Sequence, residues 1–163
     1  KQFMDITKKI HPGQGVEIPE KEIQVSPRTQ SRRVALQALY QWQLNATEPA
    51  IITRQFNEAG LLNGLDLDLF NDLVSQVTSR VEALDLVISP CLDRSVSRID
   101  PVEKNIMRMG VYELQSKVEI PYKVIINECV ELAKRFGADE SHKYVNGILD
   151  KIAQQIRTLE VNG

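Results

Sequence analysis

Two small groups of side chains in this sequence have the types and spacing to bind a nucleic acid. Arg28, Arg32 and Arg33 stand in the opening turns of an expected helix. A forked guanidinium matches phosphate oxygens and can also stack on a base. Arg28 and Arg32 are four residues apart, so they share a face if the helix begins at Pro27. The positive end of a helix dipole disfavours cations by a few tenths to about 1 kcal/mol. Arginines placed there are therefore either part of a phosphate site or a solvated basic end. The second group is Lys143, Tyr144 and Asn146, near the start of the last long helix. A lysine supplies a phosphate contact, an exposed tyrosine a stacking face, and an asparagine hydrogen bonds to a base edge. Single-stranded RNA recognition uses these parts. Taken alone, Tyr144 serves equally well at the edge of a core, and the spacing along the chain does not show that the two groups meet.

Other chemistry has little support. There is no dinucleotide fingerprint, phosphate loop, nucleophile elbow or HExxH pair. Gly13 and Gly15 form an isolated GQG triplet. Glu128, Glu131, Asp139, Glu140 and His142 are close in sequence, but the two glutamates flank an apolar stripe, where solvated charge is normal. No catalytic residue, metal site or cofactor is expected. Cys129 lies within that stripe and is expected to pack inertly, and Met107 and Met109 read as core.

The elements that must hold these residues are helical. Ser26-Pro27 is a cap followed by a first-turn proline, with Thr29 as the alternative cap, and the helix should run to about Asn45. A second helix is expected over 49–59, ended by Gly60, followed by a turn at Asn63-Gly64 and a cap at Asp66. Apolar residues from Leu69 to Ile88 recur at intervals of three and four, as one long helix or as two broken near Ser79. Pro90 allows continuation only with a kink or a restart. A loop over Ser97–Asp100 leads to another cap-plus-proline start at Asp100-Pro101. Residues 121–151 read as a helical hairpin. Ile125, Cys129, Leu132, Ala133 and Phe136 line one face, and Val145, Ile148, Leu149, Ile152 and Ile156 line the other helix. Pro121 suits the first turn, Gly137 the left-handed residue that ends a helix, and Asp139 or Ser141 the next cap. No alternating β-branched run is present. The fold class expected is all-α, with about seven helices. Residues 1–25 lack either periodicity and read as an extended or weakly ordered arm, leaving 26–163 as a single helical domain.

The composition, 42% hydrophobic and 26% charged with a formal net charge of −2, suits an ordinary globular domain, so any anion site must come from local clustering. Cys91 and Cys129 are far apart, which argues against a disulfide framework and favours a reducing, cytoplasmic setting. No apolar run approaches the roughly 20 residues needed to span a bilayer.

Three stretches carry a resemblance: RRVALQALYQWQL, DPVEKNIMRMGVYEL and PYKVIINECVELAKRFGADESHKYVNGILDK. In this order, over about four-fifths of the chain, they are similar to the NusB family of bacterial transcription antitermination factors. The resemblance implies two small helical bundles packed together. It also implies a non-catalytic RNA-binding adaptor. Such an adaptor pairs with the ribosomal protein NusE, binds the boxA element of ribosomal RNA leaders, and joins RNA polymerase with NusA and NusG. Carried over to this sequence, the RNA surface comprises Arg28, Arg32, Arg33, Lys143 and Tyr144, and Asn146 belongs to the same motif. Thr29 and Gln30 stand where relatives often have further basic residues. Tyr40 and Glu103 map to the NusE surface. Glu140 maps to an acidic turn position that affects activity in relatives, with a side chain one methylene longer than the aspartate familiar there. Two alternatives remain: a protein-only scaffold or homodimer, and the NusB-like domain of a ribosomal RNA methyltransferase. The second is disfavoured because no glycine-rich nucleotide loop is present.

Overall fold

Local caps and long-range polar anchors together set the helix boundaries. A computed structural model of the chain describes residues 25–162, so all of the expected arm except Val25 lies outside the described residues. Eight α-helices follow one another, with no strand among the described residues. They are α1 (Pro27–Asn45), α2 (Pro49–Glu58), α3 (Leu67–Ser79), α4 (Val81–Ile88), α5 (Pro101–Ser116), α6 (Tyr122–Phe136), α7 (Ser141–Ile156) and the short α8 (Thr158–Asn162). The all-helical expectation is borne out, and α8 adds one helix to the expected count. The chain divides into two compact units at Ser75/Gln76.

In the first unit, Ser26 caps α1 by accepting from the Thr29 N–H at 3.0 Å, with Pro27 at the first helical position, as its sequence requires. The helix ends at Ala46, held in the left-handed region at φ 54°. Asp66 caps α3 through Oδ1, which accepts from the Leu69 N–H at 3.1 Å. Ser31, fully buried in α1, ties the two starts together. Its Oγ donates to the Pro27 carbonyl at 2.7 Å and accepts from the Asp66 N–H at 2.8 Å. Leu36, Leu39, Ile52, Phe56, Phe70 and Leu73 are buried without exposed surface. Each such side chain contributes about 1.5–3 kcal/mol relative to exposure.

In the second unit α5, α6 and α7 pack pairwise, α4 lies on α5 and α7, and α8 lies on α7. Both stripes of the hairpin are buried as their spacing predicts, apart from the half-buried Ile156. Gly110 lets α5 approach closely. A Cβ there would sit 2.9 Å from Leu149 Cδ1 and 3.0 Å from Cys129 Sγ. Arg108 of α5 grips Asp85 of α4 in a bidentate pair at 2.8 and 2.7 Å. The break between α3 and α4 falls at Arg80, one residue beyond Ser79. Pro90 continues the chain in a 3-10 turn, Ser89–Cys91, and a second 3-10 turn, Val96–Arg98, occupies part of the expected loop.

A polar hub closes the far end of this unit. Arg157, at the end of α7, donates to the carbonyls of Leu114 at 2.8 Å, Lys117 at 2.9 Å and Ile120 at 3.0 Å. These include carbonyls that the end of α5 leaves without helical partners. Glu160 binds Arg157 at 2.6 Å and accepts from the Tyr122 N–H, at the start of α6, at 2.8 Å. Pro121 occupies the cap position of α6 rather than its first turn, and its side chain makes no capping bond. Glu160 supplies the missing acceptor from α8.

The turn between α6 and α7 differs from expectation in two ways. Gly137 is extended, at φ −91° and ψ 172°, not left-handed. Glycine is needed there for space, because a Cβ would lie 2.8 Å from the Ala133 carbonyl oxygen and 2.7 Å from Ser141 Oγ. The left-handed residue is Glu140, at φ 68°, and it takes the cap position without a side-chain capping bond. Ser141 is the first residue of α7, buried, with no hydrogen-bond partner for its Oγ.

Candidate nucleic-acid interface

The helix-start arginines of the first unit have unequal access to solvent. Arg28 is exposed, and its Nη1 pairs with Asp66 Oδ2 at 3.1 Å. Arg33 is half-buried. Arg32 is only 4% exposed and engages other groups of the protein. The first turn of α1 holds no acidic residue. Charge at this helix end is therefore carried to the surface chiefly by Arg28. Tyr40, further along α1, is half-buried.

In the second unit, α7 sets out the other group on its first two turns. The same helical repeat that buries Val145 and Ile148 turns Lys143 and Asn146 to solvent. Tyr144 is half-buried, so part of it still reaches solvent. Lys143 Nζ meets Glu140 Oε1 at 2.7 Å, and both side chains are exposed. The pair holds the Glu140 carboxyl below the usual glutamate range and raises Lys143. Solvent screens an exposed pair of this kind, so it constrains Lys143 only lightly.

Tyr144 brings in two residues that sequence reasoning missed. Its hydroxyl donates to Asp93 Oδ1 at 3.1 Å, and the guanidinium of Arg94 lies over its ring, 5.1 Å from the centroid. Arg94 in turn binds Asp93 through Nε at 2.8 Å and Nη2 at 3.2 Å. Arg94 and then Tyr144 hold the Asp93 carboxyl below its ordinary value. Burial, followed by Asp93, raises the Tyr144 phenol, which stays protonated at neutral pH. No periodic pattern marks Asp93 and Arg94, which lie between two 3-10 turns. A charged Asp-Arg pair in a loop was the one available signal. Glu103, half-buried near the start of α5, also acts electrostatically on Arg94. Among the described residues no group of three or more histidine, cysteine or acidic side chains converges as a metal site would require. None of their helices is long and apolar enough to cross a membrane.

The arrangement offers a helix start carrying an aromatic ring, an amide and one cation, with a second cation, Arg94, on a neighbouring loop, and each cation is paired with an exposed carboxylate. The NusB family matches residues 29–154. A transcription antitermination protein NusB of Hydrogenovibrio crunogenus is 62% identical over 149 residues, covering 91% of this chain and 92% of its own length. Its counterpart in Pasteurella multocida is 48% identical over 132 residues, covering 81% of this chain and 92% of its own. Among solved structures, T. maritima NusB superposes with a TM-score of 0.68 at 30% identity, over 80% of this chain and 94% of that one. A complex of the antitermination factors NusB and NusE with double-stranded RNA gives 0.72 at 27% identity, over 79% and 97%. Matched across most of its length in both sequence and fold, the chain belongs to the NusB family of transcription antitermination proteins.

Proposed function

We propose that this chain is a transcription antitermination factor that works by binding RNA together with NusE, without catalysing a reaction. The observation that carries this reading is the family match over residues 29–154, joined to a relative 62% identical along nearly its whole length. The complex of NusB and NusE with RNA, similar to this chain in fold, supports RNA and NusE as partners. The RNA is the single-stranded boxA element of ribosomal RNA leaders, and the loaded pair joins RNA polymerase with NusA and NusG in the cytoplasm. Residues 26–163 act as the working domain.

RNA is held at two places. Lys143, Tyr144 and Asn146 supply phosphate, stacking and base-edge contacts from the start of α7. Arg28 and Arg33 supply charge from the start of α1, and Arg32 supports them from within. Tyr40 and Glu103 face NusE. Glu140 modulates RNA binding by holding Lys143. A boxA titration of the chain, alone and with equimolar NusE, tests the reading. Weak binding alone, tighter binding with NusE and falling affinity at higher salt are expected. Binding of the equimolar mixture to boxA no better than to a scrambled RNA rejects it.

A further inference from the structure

We propose that Arg94 is an RNA contact and that Asp93 is a built-in anion which an RNA phosphate displaces from it. The proposal rests on the RNA-binding reading above and adds to it a site and a competition. Arg94 presents Nε and Nη2 to the two oxygens of Asp93 at 2.8 and 3.2 Å. This is the same forked edge that a guanidinium offers a phosphate. Meanwhile its flat face rests on the Tyr144 ring, 5.1 Å from the centroid. Cation and ring attract each other through the ring's negative face. The Tyr144 hydroxyl, donating to Asp93 at 3.1 Å, completes the set. A cation is thus held flat on an aromatic surface, with an anion seated where a phosphate would fit.

Folding has little need of this set. The Arg94 and Asp93 side chains are 47% and 66% exposed, and solvent screening leaves an exposed pair little weight in stability. Exchanging the Asp93 carboxylate for a phosphate therefore costs little. Asp93 turns to water, while Arg94 keeps its place on Tyr144 and fixes the RNA backbone beside the stacking ring. In the absence of RNA, Asp93 occupies the site and lowers its attraction for other anions. Asp93 and Arg94 thus extend the α7 surface onto the loop before α5.

The test is a titration of dye-labelled single-stranded boxA RNA with the full chain and NusE, at several salt concentrations. Arg94→Ala should weaken binding about 3- to 10-fold and reduce the salt slope by about 1. Asp93→Asn keeps an oxygen for the Tyr144 hydroxyl and removes the competing charge, so binding should tighten about 2- to 5-fold. If the pair merely braces Tyr144, Asp93→Asn loosens the ring and weakens binding instead. Unchanged or weaker binding by Asp93→Asn overturns the competition, and an unchanged salt slope in Arg94→Ala overturns the contact. With either result, a parent protein that still prefers boxA to scrambled RNA leaves the RNA-binding reading standing. A parent protein with no such preference removes both.

Discussion

The start of α1 and the start of α7 both offer polar side chains with a cation, and they present them differently. At α1, Arg28 reaches solvent, Arg33 half does so, and Arg32 is buried. At α7, Lys143 and Asn146 are exposed and Tyr144 is half-buried. The difference lies in what each helix must bury. Helix α1 is apolar around much of its circumference, and even Ser31, Gln37 and Gln41 are buried. An arginine on such a helix is drawn inward along with its neighbours, its stem packing as an aliphatic chain. Helix α7 has a narrower buried stripe, from Val145 to Ala153, which leaves a full polar face outside. Counting basic residues therefore overstates the first surface, while the second keeps what its sequence offers.

The comparison breaks most readily at Arg32. Arg32→Ala should lower unfolding free energy by about 2–3 kcal/mol, through the lost packing of a buried side chain and loss of its interactions within the protein. Denaturant melts would check this, with Arg28→Ala as the surface control, expected within about 0.5 kcal/mol of the parent. Equal stability of the two variants would erase the contrast. At the other helix, Tyr144→Ala should weaken boxA binding by about 1–3 kcal/mol, the worth of one stacked base, as read by titration with NusE present. Arg28→Ala should lower the salt slope of binding by about 1 and change sequence preference little. Glu140→Gln releases Lys143 from its 2.7 Å partner, and affinity should rise about twofold.

The smallest effect concerns pH and the anchor of α7 rather than its surface. The Tyr122 N–H, and then Arg157, hold the Glu160 carboxyl below its ordinary value of 4.5. A lowered carboxylate pKa means that the unfolded state binds its proton first as pH falls. The stabilisation is thus present above about 4.5 and is lost as pH drops through the lower folded value. The difference in melting temperature between the parent and Glu160→Gln should therefore persist at pH 7 and close in strong acid. A pH-independent difference would assign the effect to shape alone.

Most of the framework was legible in the sequence because it is written locally. The Ser26-Pro27 and Asp100-Pro101 starts, the Asp66 cap and the hairpin stripes depend on residues within a few positions of one another. What was missed depends on partners distant in sequence. Arg157 serves carbonyls roughly 40 positions earlier, and Asp93 meets Tyr144 across 51. Gly137 shows a subtler limit. The glycine marked the end of α6 correctly, but for the close approach of Ser141 and the Ala133 carbonyl rather than for a left-handed backbone. The left-handed position went to Glu140, where side-chain chemistry gives no warning. For the candidate site, residue types named Lys143, Tyr144 and Asn146, whereas burial of Arg32 and the pairing of Lys143 follow only from the folded chain.

RNA binding at the start of α7 and at the loop that Tyr144 touches is open to direct test. Backbone amide shifts of the NusE-bound chain, recorded as single-stranded boxA RNA is added, test it most directly. Saturable shifts at residues 93–94 and 142–147, with weaker ones near Arg28, are expected. Shifts that leave Arg94, Lys143 and Tyr144 unmoved while RNA is demonstrably bound would contradict it.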